Sequence, residues 1–312
     1  MPLSDHYFGE IYPQLTGEDA FMYYEHVRSR LPTAQFPQHF ATAPDLLQIA
    51  EHFDVFVFDA YGVLNIGATP IAGGSGCIKA LRELNKQVFV LSNGASFDAE
   101  SNVSKFRGLG YEFSLGEVVS SRMAAERALQ RIGSAIRWGA MAKEDFSSTE
   151  FAQPVVKLKD DAATYDEVTG FLFLSTLDWN SERQQMLERS LENNLRPVIV
   201  ANPDIVSPRE SHFGIEPGYL GHRLVEKYGA DVVFHGKPFP SVFELIEEAI
   251  SPDIDRQRIC MIGDTLHTDI LGGAALGWKT ILVSGHGMFK GLDAGQYVER
   301  SGLVPDWIVP SI

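Results

Sequence analysis

The sequence predicts an α/β fold built on parallel strands, and three observations predict it. Short apolar runs such as FDVFVFD from Phe53, QVFVL from Gln87, RICMIGD from Arg258 and KTILVSG from Lys279 have the length and continuity of strands buried on both faces. Stretches of helical periodicity separate them, so consecutive strands are joined by crossovers and run parallel. At 312 residues the chain exceeds a typical domain of roughly 100–200 residues, which implies two domains or one domain carrying a large insertion.

Residues 1–52 are predicted to be a helical N-terminal extension that packs onto the main domain. DAFMYYEHVRSR, Asp19 to Arg30, has helical spacing and is closed by Pro32; the Pro-punctuated LPTAQFPQHFATAP then leads to a short helix around Leu46 to Glu51. At Phe53 the first strand begins and ends at Asp59, and AYGVLNIGATPIAGG follows as loop. The GGSGC run, Gly73 to Cys77, has neither the spacing of a nucleophile elbow nor that of a P-loop and reads as a flexible loop before a helix. The helical SGCIKALRELNK and the strand QVFVL complete a βαβ unit. Asp98 to Leu109 and Arg122 to Arg131 are predicted helices, with GEVVSS between them as a strand.

From about Gly133 to Ala230 the alternation continues through AIRWGAM, GFLFLST, SERQQMLERSLENN, RPVIVAN and YLGHRLVEKY. On pattern alone these runs either extend one large sheet or form a separate small α/β domain. From Asp231 onward, strand VVFHG, helix PSVFELIEEAI, strand RICMIGD, helix TDILGGAALG and strand KTILVSG can complete the first sheet.

Composition narrows the function. The chain is 45% hydrophobic and 21% charged, as ordinary globular proteins are, and its 41 acidic against 26 basic side chains give a net charge of −15. Such a surface repels nucleic acid and anionic membranes, so neither is an expected partner. Cys77 and Cys260 stand alone beside apolar neighbours and read as buried thiols in a reducing compartment. With no basic start followed by an apolar run, and no span of eighteen or so apolar residues, the expected location is the cytoplasm.

Four side chains stand where a strand gives way to loop: Asp59, Ser92, Lys237 and Asp264. The carboxyl ends of strands in an open α/β sheet form its ligand crevice, so these residues can converge although far apart in sequence. One alone would read as a helix N-cap. Four in one sheet form a site.

In order, these residues resemble the motifs of the haloacid dehalogenase superfamily of aspartate-nucleophile hydrolases. Asp59-Ala60-Tyr61-Gly62-Val63-Leu64 resembles the first motif and Ser92-Asn93-Gly94 the second. Gly236-Lys237-Pro238 is similar to the third, and Gly263-Asp264-Thr265-Leu266-His267-Thr268-Asp269 to the acidic fourth. The motifs and the strands around them extend from Phe53 to Gly285. The long insert between the second and third motifs, with Ala201-Asn202-Pro203-Asp204 after a strand, resembles class IIA members, the NagD-type and 4-nitrophenyl phosphatase-like group. The resemblance implies a Rossmann-like core over residues 53–128 and 231–312. It also implies an α/β cap over 129–230 that hinges on its two connections, and a homodimer.

That resemblance implies a chemistry. Asp59 attacks phosphorus, forming an aspartyl-phosphate, while Lys237 and Mg²⁺ hold the negative charges together. The ion's protein ligands are Asp59, the Tyr61 carbonyl and Asp264, with Asp269 binding a metal water or bracing Lys237. The Ser92 hydroxyl and backbone N–H groups at Asn93 and Gly94 hold the phosphoryl oxygens. In the cap loop NPDIVSPRESHFG, Asp204, Arg209 and His212 are the candidates for substrate specificity, and a guanidinium suits a carboxylate or phosphate. His235, His267 and His286 lack zinc-binding spacing and read as ordinary surface or crevice residues.

One position departs from the phosphatase pattern. Tyr61 stands where a second Asp would protonate the leaving oxygen and later activate water, and a phenol is a poor base at neutral pH. The expected function is a Mg²⁺-dependent phosphatase of a small phosphorylated metabolite, slowed by Tyr61. Its rivals are a phosphometabolite-binding protein without turnover and a dehalogenase-like hydrolase. The latter works without metal and lacks the acidic pair Asp264 and Asp269.

Overall fold

The computed structural model describes residues 11, 13–132, 135–148, 151–209 and 212–312. Two parallel sheets dominate it. The larger has seven strands: β1 (Ala41–Thr42), β2 (Val55–Phe58), β5 (Gln87–Ser92), β6 (Val118–Ser120), β14 (Ile259–Gly263), β15 (Lys279–Val283) and β16 (Trp307–Val309). They lie in the order β1-β16-β15-β14-β2-β5-β6. Strands β2, β5 and β14 are fully buried but for one terminal residue, as their unbroken apolar runs require. Register fixes what matters for function: Phe58 pairs with Val90 on one side and Ile262 on the other, so these three strands end at the same edge. Two-residue strands β3 (Asn65–Ile66) and β4 (Thr69–Pro70) form a small hairpin in the loop after β2.

The segment between β6 and β14 forms its own sheet, which settles the choice the sequence leaves open. Strands β7 (Trp138–Met141), β8 (Val155–Lys157), β9 (Gly170–Phe173), β10 (Val198–Val200) and β13 (Val232–Phe234) pair in the order β13-β10-β9-β7-β8. A separate antiparallel hairpin, β11 (Val206–Pro208) with β12 (Phe213–Ile215), stands beside it. The architecture is thus a Rossmann-like parallel-sheet core with an inserted α/β cap domain.

Several boundaries differ from the expected ones. The strand at Val232–Phe234 forms but pairs with β10, so the inserted sheet runs past Ala230; its mixed exposure marks an edge strand covering β10. The helix Ser121–Ile132 passes residue 128 without a break, and its Ala124 packs with Val242 and Phe243 of the core. The extension is not wholly helical, since β1 pairs with β16 at the edge of the core sheet. The GGSGC run is the first turn of the helix Gly74–Glu83, not a loop. Cys77 and Cys260 are both buried and unbridged.

The first described helix, α1 (Gly17–His26), opens on a capping box between Thr16 and Asp19 and buries Ala20, Phe21, Tyr23 and Tyr24. Its apolar face joins a single cluster that includes Phe171 and Leu220 of the inserted domain and Leu266, Met288 and Tyr297 of the core. Among the described residues no helix is long and apolar enough to cross a membrane.

Candidate active site

The shared strand edge gathers three carboxylates. Asp59 donates its backbone N–H to the Ile262 carbonyl at 2.8 Å, the last rung of the ladder, and its side chain leaves the sheet there. Asp264 follows β14, where Oδ1 accepts from the Thr265 hydroxyl at 2.9 Å and Oδ2 from the Met288 N–H at 2.9 Å. Asp269 closes a single π-helical turn, Leu266–Ile270, and its Oδ2 accepts from the Thr265 N–H at 3.1 Å. Oxygen atoms of all three lie within 4.8 Å of one another. Gly62, at φ +81°, and Gly287, at φ +62°, make room: a β-carbon would sit 2.3 Å and 1.8 Å respectively from Asp264 Oδ2.

Lys237 brings in the one ammonium of this cluster. Its Nζ donates to Asp59 Oδ1 at 2.5 Å and to Asp269 Oδ1 at 2.7 Å, with the side chain 2% exposed. Burial alone would lower the lysine pKa, but Asp269 and Asp59 reverse this and hold it charged. One cation does not balance three carboxylates. Burial, and then Asp59 and Asp269, push the Asp264 carboxyl well above its ordinary range; Asp269 rises to about 6 through burial, against the pull of Lys237. An all-oxygen donor set short of positive charge fits a hard divalent cation, which Asp59 and Asp264 would hold directly. Asp269 Oδ1, like Asp59 Oδ1, accepts a hydrogen bond from Lys237 Nζ.

The second-motif residues divide their roles. Ser92 is buried at the end of β5, and its Oγ accepts from the Gly94 N–H at 3.1 Å. The Asn93 side chain is a connector: Oδ1 accepts from the Lys237 N–H at 2.7 Å, and Nδ2 donates to the Lys237 carbonyl at 3.0 Å and to Asp204 Oδ1 at 2.8 Å. Ser121, which the sequence did not single out, donates its hydroxyl to the Asn93 carbonyl at 2.7 Å. Asp204 therefore reaches from the inserted domain into the core site, and burial drives its carboxyl well up, against Lys237 and with Asp59.

Tyr61 is half-buried at the mouth. Lys105 Nζ lies 3.3 Å from its hydroxyl and 4.3 Å from its ring centre, and the Arg209 guanidinium lies 5.7 Å from the same ring. Arg209 and His212 occupy the turn of the β11–β12 hairpin, where sequence showed only loop; Arg209 N–H donates to the His212 carbonyl at 2.9 Å. Arg209 Nη2 also donates to Glu216 Oε1 at 3.0 Å, and Glu216 takes further bonds from Ser207 at 2.5 Å and Asn202 at 2.9 Å. Lys105 and Glu216 were not legible because each stands on an element with no motif of its own. His267 is neither surface nor ordinary: it is buried, and its Nε2 lies 2.5 Å from Glu25 of α1. His235 and His286 pair with Ser241 and Ser311.

Comparison with known proteins agrees with this geometry. A family model described as haloacid dehalogenase-like hydrolase matches residues 56–150, and a HAD-hydrolase-like model matches 234–312. Among curated proteins, the chain is 24% identical over 300 residues to the 4-nitrophenylphosphatase of Schizosaccharomyces pombe, covering 85% of this chain and 94% of that one. Among solved structures, a possible sugar phosphatase from Cytophaga hutchinsonii superimposes with a TM-score of 0.75 at 22% identity, over 87% of this chain and 98% of the other. A glycerol phosphate phosphatase from Mycobacterium tuberculosis in complex with magnesium gives 0.65 at 20% identity, over 86% and 76%. Between the two matched stretches lie residues 151–233, which carry strands β8 to β10 of the inserted sheet and the β11–β12 hairpin. The chain belongs to the haloacid dehalogenase-like hydrolases, in their class IIA, NagD-type group.

Proposed function

We propose that the protein is a Mg²⁺-dependent phosphatase that hydrolyses a small phosphorylated metabolite through an aspartyl-phosphate on Asp59. The observation that carries this reading is the buried set of Asp59, Asp264 and Asp269 with the Lys237 ammonium between two of them. Magnesium is the fitting cation for this all-oxygen set, and the magnesium complex of the Mycobacterium tuberculosis relative supports the choice. When bound, the cation neutralises phosphoryl and carboxylate charge.

The chain's own residues do the rest. Lys237 holds Asp59 Oδ1, which orients the other oxygen for attack. A bond forms between that oxygen and phosphorus, the ester P–O bond breaks, and the leaving oxygen takes a proton from solvent water. Water then attacks the aspartyl-phosphate, releasing phosphate and restoring Asp59. Ser92 and the N–H groups beyond β5 hold phosphoryl oxygens, while Asn93 fixes Lys237 and the cap residue Asp204 in register with the core. The inserted domain, from β7 to β13, serves as the cap that shapes the substrate site.

Tyr61 supports a second reading, binding of a phosphorylated metabolite without turnover. Its hydroxyl lies 3.3 Å from Lys105 Nζ, and neither side chain brings the carboxylate that general-base help to the water step would use. A dehalogenase-like reaction has the least support, because it has no use for the acidic set. Phosphate esters and haloalkanoic acids, screened with Mg²⁺ and with EDTA, decide among the three. Mg²⁺-dependent release of phosphate that Asp59→Asn abolishes is the expected result. Binding without release would leave the second reading, and metal-independent dehalogenation the third.

A further inference from the structure

Between Asp264 and Asp269 the acidic turn carries His267, a fully buried ring whose partners come from a helix that precedes all four motifs. Its Nε2 lies 2.5 Å from Glu25 Oε1; Tyr24 stacks on it at 5.0 Å and 6°, and Phe21 meets it edge-on at 5.4 Å. Glu25, Tyr24 and Phe21 all belong to α1. A carboxylate only accepts, so Nε2 is assigned the hydrogen. Nδ1 is buried and has no hydrogen-bond partner among the described residues, which leaves Glu25 as the imidazole's one such partner there. Arg28, 3.8 Å from the same Glu25 oxygen, is too far away to compete as a donor.

The turn needs a restraint of this kind. Oxygen atoms of Asp59, Asp264 and Asp269 crowd within 4.8 Å of one another beside a single ammonium, so until a cation arrives their repulsion works to spread the turn. Its own backbone offers little resistance. It is one π-helical turn, in which the N–H groups of Asp269 and Ile270 share the Thr265 carbonyl at 3.1 Å and 3.3 Å.

We propose that Glu25 is a positioning residue of the active site: through His267 it holds the acidic turn, and with it Asp264 and Asp269, in place before metal and substrate bind. The inference rests on the metal-dependent reading of the site and adds the N-terminal extension to it. Docking of α1 does not by itself call for this contact, because the helix has a separate anchor. At its other end Glu18 accepts from Tyr297 at 2.7 Å and pairs with Arg300 at 2.6 Å.

Calorimetric titration with Mg²⁺ and amide exchange in EDTA test the proposal on the full-length protein. Glu25→Ala should weaken Mg²⁺ binding about tenfold, the low end of what partners of metal ligands are worth, and quicken exchange at the Thr265 and Asp269 amides by about as much. Glu25→Gln, whose amide oxygen still accepts from Nε2, should restore both. Glu18→Ala, which loosens the other end of α1, should lower Tm and leave Mg²⁺ affinity at the wild-type value. In a His267→Phe background, which keeps a ring for Tyr24 and lacks the N–H, Glu25→Ala should have no further effect. With 4-nitrophenyl phosphate at saturating Mg²⁺, kcat of Glu25→Ala should fall several-fold while KM holds, since Glu25 acts on the turn and not on substrate. If Glu25→Ala does not fold, Glu25→Met, which keeps the stem and loses the acceptor, carries the same measurements. Wild-type Mg²⁺ affinity and exchange in a folded variant overturn the proposal, as does an equal loss from Glu18→Ala or an undiminished loss in the His267→Phe background. A wild type that binds Mg²⁺ without turnover sinks the phosphatase reading and leaves the proposal to the titration. One that binds no Mg²⁺ leaves it to exchange alone, where faster exchange in Glu25→Ala supports it and equal exchange overturns it.

Discussion

Tyr61 and Asp264 show what single side chains decide at this site. A carboxylate at position 61 would lie beside Lys105 and near Arg209, so Tyr61→Asp introduces its charge where cations already stand. Since general acid/base catalysis is typically worth ~10²–10⁴ in rate, steady-state hydrolysis of 4-nitrophenyl phosphate should rise by about two orders of magnitude. Wild type should accumulate a labile phosphoenzyme that the variant clears. A folded, Mg²⁺-binding Tyr61→Asp protein slower than wild type would assign Tyr61 a role of its own. Asp264 is crowded by burial and two carboxylates, so Asp264→Asn should raise Tm in EDTA by removing that repulsion. The same change should erase the stabilisation by Mg²⁺, about 2.7 kcal/mol at a hundredfold excess over Kd; an intact Mg²⁺ upshift would refute the metal assignment. Asp59, Ser92, Lys237 and Asp264 were legible because strand ends announce themselves in sequence, and Asp269 through the resemblance to the acidic fourth motif. Lys105 was not, since nothing local distinguishes it from any solvated helix lysine. Asn93 was legible as a position but not as a connector, because its partners Asp204 and Lys237 lie 111 and 144 residues away.

At the scale of elements, α1 joins cap to core. Its Tyr24 ring stacks on His267 of the acidic loop at 5.0 Å, while the Tyr24 oxygen accepts the N–H of Ile205, next to Asp204, at 3.1 Å. Tyr23 donates its hydroxyl to the Tyr219 carbonyl at 3.0 Å, and Arg30 pairs with Glu226 of the cap helix Pro217–Tyr228. The helix was readable from its apolar spacing, although it ends at His26, before the expected Arg30. Its bridging role was not readable, because every one of these contacts spans most of the chain. Tyr24→Phe keeps the stack and removes the acceptor, leaving a buried N–H unpaired at a cost of about 1–3 kcal/mol. Amide exchange at Ile205 should then quicken by about tenfold or more, with peptides from the core strands unaffected. Unchanged exchange at Ile205 would mean that α1 merely rests on the cap.

The molecule as a whole is three pieces sharing one apolar cluster, and its response to acid should reveal that. His222, 1% exposed on the cap helix, stacks on Phe234 at 4.4 Å and faces Tyr23 of α1 at 6.5 Å, while its carbonyl accepts from Arg30 at 3.4 Å. Burial, then the neighbouring Arg30 and His26, lower its pKa to about 3; Glu226 faces both of those side chains. Its Nδ1 has no hydrogen-bond partner among the described residues, so nothing there rewards a proton. In the unfolded chain the same imidazole titrates near 6.5. Between those two values the unfolded state binds a proton that the folded state refuses, so the stabilising contribution is complete above pH 6.5 and is lost as pH falls toward 3. From pH 7 to pH 5 the loss from this one residue is about 2 kcal/mol. His222→Phe keeps an aromatic face for Phe234 and cannot titrate, so urea unfolding of the variant should lose correspondingly less stability over that interval. Equal acid sensitivity in the two proteins would show that His222 gains its proton without unfolding. If instead the wild type loses the contacts of α1 before the core sheet melts, exchange at the Ile205 amide should rise at pH 5 in wild type and stay low in His222→Phe.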